Sequence, residues 1–437
     1  MNARDVARNV VRTLRVSGFQ AYLVGGCVRD LLLGRDPVDY DVATDATPAQ
    51  IRSLFPHCES VGAHFGVVLV KDAGCHVELA TFRSDNSYTD GRHPESVDLV
   101  SDPRQDAMRR DFTINALLQD PETGQVLDYV GGEQDLRNRL VRAIGDPPAR
   151  FQEDHLRLLR AIRFAARLEF EIEPATLQAI RQMARLIHRV SAERIRDELV
   201  RILTEGGARR GFELLDETGL LLEVLPEVAI MKGVAQPAEF HPEGDVWTHT
   251  LLMLEQMRDP SPALAFGVLL HDVGKPPTFR VAERIRFDGH VEAGAQMAVK
   301  ILERLRCSSQ QIRQVEALVR NHLRFKDAPQ MRPSTLKRFL RLENFEEHLE
   351  LHRLDCLGSH RNLDNYNYVK ARLAETPEEL LKPAPFLSGH DLIAMGLQPG
   401  RLFKEILSAV EDAQLDGKLG SREQAADWVR NRYPQLR

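Results

Sequence analysis

The sequence predicts an α+β protein, a mixed amino-terminal region followed by a chain that is almost all helix. Three observations lead there. Over the first 130 residues, short β-rich runs bounded by glycine alternate with helical stretches. From about residue 150 onward, apolar side chains recur at three and four, the period of helices that bury one face. Across 437 residues, 43% are hydrophobic and 28% charged, enough for several cores at roughly 150 residues per domain.

That balance excludes disordered and collagen-like chains. The longest apolar runs, such as 31–33 and 67–70, fall far short of the ~18 residues a spanning helix needs. Residues 1–16 alternate charge with Val and Leu, which reads as an amphipathic helix and not a signal peptide. Five scattered cysteines, with no CxxC or zinc spacing, fit a cytoplasmic location. The net charge is −6, but residues 137–210 carry sixteen Arg, no Lys and ten acids, leaving −12 for the rest. An arginine-rich segment inside an acidic chain suits either phosphates or an ion-paired helical face.

Taken in order, residues 19–24 form a strand ending in Gly25-Gly26, and 28–33 a helix stopped by Gly34. A second strand spans 40–43 and a helix 48–55. Residues 66–71 and 76–82 read as strands joined by the turn residues Asp72-Ala73-Gly74. The polar stretch 83–104 reads as a long loop. Helices follow over 151–168, 174–187, 195–203 and 211–222. Pro237 and Pro242 with two glycines mark a boundary near 233–246. A second helical unit runs from 247 to about 360, and Pro383 and Pro385 precede a last helical piece.

The densest chemical signal is Gly25-Gly26-x-x-Arg29 before Asp39-x-Asp41. Two glycines between strand and helix let a phosphate approach the backbone, and Arg29 adds a guanidinium. Two carboxylates two apart on a strand share a face and repel unless a cation separates them; Mg²⁺ is the natural counterion. Glu78 is a weaker third carboxylate. Arg109-Arg110-Asp111 and Asn115 suit a triphosphate and sugar hydroxyls, or simply start a helix. On a continuous helix, Glu153, Asp154, Arg157 and Arg160 share an arc of roughly 120°. They could pair with one another or offer donor and acceptor edges to a base.

These motifs, in this order and spacing over about residues 20–210, closely resemble the class II tRNA nucleotidyltransferases and bacterial poly(A) polymerases. Asp128-Tyr-Val-Gly-Gly-Glu-Gln-Asp135 resembles that family's hinge. The resemblance implies a polymerase-β-like head over 1–145 and a helical neck and body over 146–240. It implies that Asp39 and Asp41 hold two Mg²⁺ while an RNA 3′-hydroxyl attacks the α-phosphate of ATP or CTP. Gly25, Gly26, Arg29, Arg109 and Arg110 would serve the triphosphate, and Asp111 and Asn115 the ribose. Asp154 and Arg157 would read the base, with Arg160 and Arg163 on the same path. The expected partner is tRNA, recognised by shape, with no DNA or membrane partner. Tyr88–Pro94 resembles a loop that CC-only members lack. CCA addition, A-only addition and poly(A) synthesis remain open.

Further along stand His249, His271-Asp272, His290, His322 and Asp355. Imidazole plus carboxylate without cysteine favours an octahedral Mn, Fe, Co, Ni or Mg ion. The pattern resembles HD phosphohydrolases over roughly 241–365, with Lys275 also fitting. Its two extra histidines resemble the two-metal members. This implies a second, metal-dependent phosphohydrolase, or an HD fold kept for structure. A chain that is mainly an HD hydrolase, or a non-catalytic RNA-binding protein, is the remaining alternative. Residues 366–437 resemble the helical RNA-binding end of the same polymerases.

Overall fold

A computed structural model describes residues 2–60, 67–72, 74–85, 97–239 and 241–433. They form two compact units, Met1–Ala229 and Ile230–Arg437. Tyr88–Pro94 lies outside the described residues.

The first unit opens with α1 (Ala3–Val16). Asn2 and Asp5 close a reciprocal capping box at its start, and Val6, Val10, Val11 and Leu14 are buried. Then come β1 (Ala21–Val24), α2 (Gly26–Leu32), β2 (Asp41–Thr44), α3 (Pro48–Leu54), β3 (Cys58–Ser60), β4 (Val67–Asp72) and β5 (Cys75–Thr81). Next are β6 (Arg83–Asp85), β7 (Val97–Leu99), α4 (Pro103–Met108), β8 (Leu118–Gln119) and β9 (Val126–Leu127). Seven strands make one sheet in the order β3-β4-β5-β2-β1-β8-β9. The β2–β5 pair is parallel and sets Asp41 opposite Glu78, while β1 and β2 run antiparallel. The hairpin expected at 72–74 joins β4 to β5.

Two expectations need correction here. The supposed loop 83–104 holds a two-stranded ribbon, with Arg83, Ser84 and Asp85 opposite Leu99, Asp98 and Val97, and the start of α4. Such polar ribbons pair through backbone groups and lack the apolar alternation that betrays a strand. Asp39 is exposed and precedes β2, which begins at Asp41, so the two aspartates are not strand neighbours.

After the sheet, α5 (Gly132–Arg137) is held by Asp128, whose carboxylate accepts hydrogen bonds from the amides of Val130, Gly131, Gly132 and Glu133. The next helical run is broken into α6 (Pro147–Glu153) and α7 (Arg157–Leu168). Asp154 sits between them in extended backbone (φ −144°, ψ 105°), and its side chain accepts from the amide of Leu156. An Asp that bonds nearby amides competes with helix continuation. Glu153 and Asp154 therefore do not share a continuous helical face with Arg157 and Arg160.

The second unit is helical. Helices 246–256, 262–270, 290–304, 309–321 and 345–358 pack together, and a largely exposed two-residue-per-strand ribbon, 280–281 with 285–286, precedes 290–304. An aromatic cluster of Phe325, Phe339 and Phe345 includes His352, stacked on Phe325 at 4.3 Å. Residues 387–429 form a small core of their own around Leu392, Ile406 and Val410. No described helix is long and apolar enough to cross a membrane.

Candidate active sites

The first unit contains a cleft of about 520 Å³. The β1–α2 turn brings Gly25, Gly26 and Arg29 to it, and the start of β2 brings Asp41. The segment after α4 supplies Arg109, Arg110, Asp111 and Asn115, and the α6–α7 junction supplies Asp154, Arg157 and Arg160. Eleven of the residues singled out in the sequence thus share one cleft. Asp39 does not line it, although its charge helps raise the pKa of Asp41.

Gly25 has φ +77°, a conformation L side chains avoid, and an added Cβ would lie 3.2 Å from an Arg110 guanidinium nitrogen. Arg29 is 3% exposed; it donates to Asn115 Oδ1 at 2.8 Å and pairs with Asp30. Arg109 and Arg110 share one buried carboxylate, Asp106, at 2.6 and 2.9 Å. Arg160 forks onto Asp111 at 2.9 and 2.6 Å, and this holds the Asp111 carboxyl at about 2 against full burial. Burial, then Glu78 across the sheet, pushes Asp41 up to about 6. Half-buried Asp41 opposite exposed Glu78 offers oxygen donors only, which suit a hard divalent cation.

Asp154 and Arg157 do not pair with each other. Asp154 bonds Arg194 at 2.8 Å, while Arg157 is fixed by Glu153 at 2.5 Å and by the Arg109 carbonyl. Arg163 does not line the cleft. It is buried against Glu198 at 2.8 Å and Glu205 at 3.4 Å, which corrects its expected place on the path. Sequence reasoning missed Arg83, Phe164 and Arg167 in the cleft, and Asp106 beneath it. Helical spacing from Arg160 would have pointed to Phe164 and Arg167, and Asp106 lies three and four residues before its arginines.

In the second unit all six expected ligands converge. His271 ends helix 262–270, His290 begins 290–304, His322 ends 309–321, and His249 and Asp355 come from 246–256 and 345–358. They form two groups whose ligand atoms lie within 4.8 Å: His249, His271 and Asp355, then Asp272, His290 and His322. The Nδ1 atoms of His271, His290 and His322 each meet a backbone carbonyl, of Val268, Phe287 and Val319. Their Nε2 atoms, with Asp272 Oδ1, are buried and hydrogen-bond to nothing among the described residues. That donor set fits a divalent metal pair, with each ring held in the tautomer that binds through Nε2.

Gly274 lets the turn after Asp272 meet helix 290–304, since a Cβ there would lie 2.1 Å from the His290 carbonyl oxygen. His241 and Glu243 were missed because Pro237 and Pro242 marked their segment as a linker. Glu243 Oε1 lies 2.8 Å from His249 Nδ1, a carboxylate behind a candidate metal ligand. Lys275 Nζ sits 2.7 Å from Asp272. Hydrogen bonding to Asp355, then to Glu243, raises His249 to about 9 against the opposing effect of its burial, whereas burial lowers His322 to about 4.

Fold and sites together define a nucleotidyltransferase-type head joined through helices to an HD unit. Residues 21–142 match the poly A polymerase head domain, 169–231 a probable RNA and SrmB-binding site of polymerase A, and 245–354 the HD domain. These three matches stand in the order that the sequence resemblance implies, a polymerase-type head, an RNA-binding segment and an HD domain.

The chain is 44% identical over 216 residues to a CCA-adding enzyme of Levilactobacillus brevis, covering 49% of this chain and 54% of that one. It is 40% identical over 254 residues to one of Lactobacillus helveticus, covering 57% and 63%. The chain thus spans little more than half the length of these relatives. The structure of the Bacillus stearothermophilus CCA-adding enzyme in complex with CTP superposes with a TM-score of 0.75 at 27% identity, covering all of both chains. A Thermotoga maritima CCA-adding enzyme complexed with tRNA shares the fold at 20% identity, with a TM-score of 0.58 over 98% of this chain and 95% of that one.

Proposed function

We propose that the first unit adds CCA to the 3′ end of tRNA from CTP and ATP, releasing pyrophosphate. The observation that carries this is the cleft itself, which gathers Asp41, the arginines, and Asp154 and Arg157 along one lining. Asp39 and Asp41 would hold Mg²⁺, which when bound supplies activation of the attacking hydroxyl and charge relief for the leaving pyrophosphate. Arg29, Arg109, Arg110 and the Gly25–Gly26 backbone receive the triphosphate. Asp111 and Asn115 face the ribose. Asp154 and Arg157, each anchored by a different partner, present acceptor and donor edges to the base in place of a nucleic-acid template. That the relatives are CCA-adding enzymes supports CCA over A-only or poly(A) addition. The test is incubation of the protein with tRNA lacking CCA, CA or A, with each nucleotide separately, followed by sizing of products. Growth by A alone on every substrate would replace CCA addition with the A-adding reading.

The second unit is read as a metal-dependent phosphohydrolase, on the strength of its converging orphaned nitrogens. His249, His271, Asp272, His290, His322 and Asp355 would hold the ions, which when bound supply a hydroxide-like nucleophile. Both activities belong in the cytoplasm, where the substrates of the first are made.

A further inference from the structure

Along α7, Arg157, Arg160, Phe164 and Arg167 all line the head cleft. At 100° per residue they share an arc of about 80°, so the helix lies lengthwise against the cleft. Ten residues at 1.5 Å each carry the backbone about 15 Å from Arg157 to Arg167. The contacts give this face a direction. Arg157 stands at the α6–α7 junction with Asp154, and Arg160 holds Asp111. The Phe164 ring then meets the Arg29 guanidinium at 5.4 Å, and Arg29 adjoins the Gly25–Gly26 turn, its Nη2 lying 3.6 Å from the Cβ position of Gly26. The positions assigned to base, ribose and phosphate thus follow one another along α7. Arg167 comes almost a turn past Phe164, at the phosphate end.

Arg167 is also the most loosely held cation of an overfilled ion-pair network. Glu205, just after the helix Ala192–Thr204, meets Arg167 at 3.2 Å, Arg163 at 3.4 Å and Arg201 at 4.0 Å. Arg163 and Arg201 reach Glu198 as well, at 2.8 and 3.7 Å, and Arg160 divides between Glu198 and Asp111. Four guanidiniums therefore share three carboxylates, and one positive charge is in excess. Among the described residues Glu205 is the single acid that Arg167 pairs with, and the Arg167 side chain is 30% exposed. A part-exposed pair of this kind contributes little and breaks readily.

We propose that Arg167 receives the terminal phosphate of the incoming nucleoside triphosphate, exchanging Glu205 for it, and so separates triphosphates from shorter nucleotides. The proposal rests on reading the cleft as a nucleotide-addition site and adds the residue that measures phosphate length. Glu205 keeps Arg163 and Arg201 when Arg167 turns away, so the exchange strands no carboxylate. The phosphate supplies the negative charge that the network lacks, and a guanidinium fork matches two of its oxygens.

The experiment titrates the full-length protein in Mg²⁺, without RNA, with CTP, CMP and pyrophosphate. The unmodified chain is compared with Arg167→Ala, Arg167→Lys and Glu205→Gln. Arg167→Ala should weaken CTP and pyrophosphate by about tenfold and leave CMP unchanged, and Arg167→Lys should recover part of the loss. Glu205→Gln releases Arg167 and should tighten pyrophosphate, a gain that damage to the fold does not produce. In addition assays on tRNA lacking its last nucleotide, Arg167→Ala should raise KM for ATP while kcat stays within about twofold. Equal loss on CTP and CMP makes Arg167 a structural support of the cleft and overturns the proposal. Unchanged binding of CTP and pyrophosphate overturns it too, and absence of the gain in Glu205→Gln overturns the exchange. If the unmodified protein binds CTP but extends no tRNA, the addition reading falls while the titrations still decide the role of Arg167. If it binds neither CTP nor pyrophosphate, both fall.

Discussion

The two sites are built on opposite electrostatic plans. In the head cleft nearly every cation already has its acid: Arg109 and Arg110 on Asp106, Arg157 on Glu153, Arg160 on Asp111. No group of three metal-ligating side chains converges there among the described residues. In the HD unit the donors converge on one another and stay unsatisfied. The first arrangement is rigid before anything binds and leaves the remaining metal ligands to come from phosphate oxygens. The second gathers six imidazole and carboxylate side chains as candidate metal ligands. Chelation should therefore cost the HD unit stability while leaving that of the head unchanged.

The largest effect that could break this comparison is at Asp41. Asp41→Ala should reduce nucleotide addition by at least about a thousandfold, because no neighbour replaces its carboxylate, while tRNA binding by gel shift persists. Normal incorporation in Mg²⁺ would remove the metal role. Next is His271→Ala with Asp272→Ala. Each of the two ligand groups loses a member, so metal content and phosphoester hydrolysis should fall to background while addition continues. Loss of addition in the same folded preparation would mean the two plans are not separable.

Arg163→Ala sharpens the contrast within the head. Removing one partner of a buried pair costs about 3–5 kcal/mol. The variant should therefore melt early yet choose nucleotides as before. Acid acts on the other unit. His348 is 1% exposed, neither ring nitrogen has a hydrogen-bond partner among the described residues, and burial lowers its pKa to about 4 from 6.5. A histidine whose folded pKa is lowered contributes stability above 6.5 that is lost as pH falls toward 4, because the unfolded chain then binds the extra proton. His348→Phe should thus blunt the acid loss of stability by on the order of 3 kcal/mol, read as the change in urea midpoint between pH 7 and pH 4. Parallel curves for both proteins would contradict this.

The smallest effect expected is at Arg157. Its replacement by Ala should blur selection among the four nucleotides by ~1–3 kcal/mol, by analogy with bidentate base readout. Retained preference would make α7 a structural helix only.

Much of this was legible in the residues. Glycine-punctuated strands, the HD ligands and eleven cleft residues follow from local spacing, because each is set by its own turn or helix end. What escaped depends on partners far apart in the chain. Nothing near Arg163 announces Glu198 and Glu205, 35 and 42 residues on, which pull it off the cleft path. The break at Asp154 was hidden because apolar periodicity continues through it. The ribbon at 83–99 was hidden because exposed strands need no apolar face. His241 and Glu243 were hidden by the prolines beside them.

Asp106 has one further consequence. A single carboxylate, fully buried, holds both Arg109 and Arg110. The three positions therefore inherit change as a block. A lineage that replaces Asp106 must re-anchor or surrender two guanidiniums at once, whereas altering either arginine alone leaves the carboxylate still partnered. Asp106, which touches no part of the cleft surface, should tolerate drift less than the arginines that do.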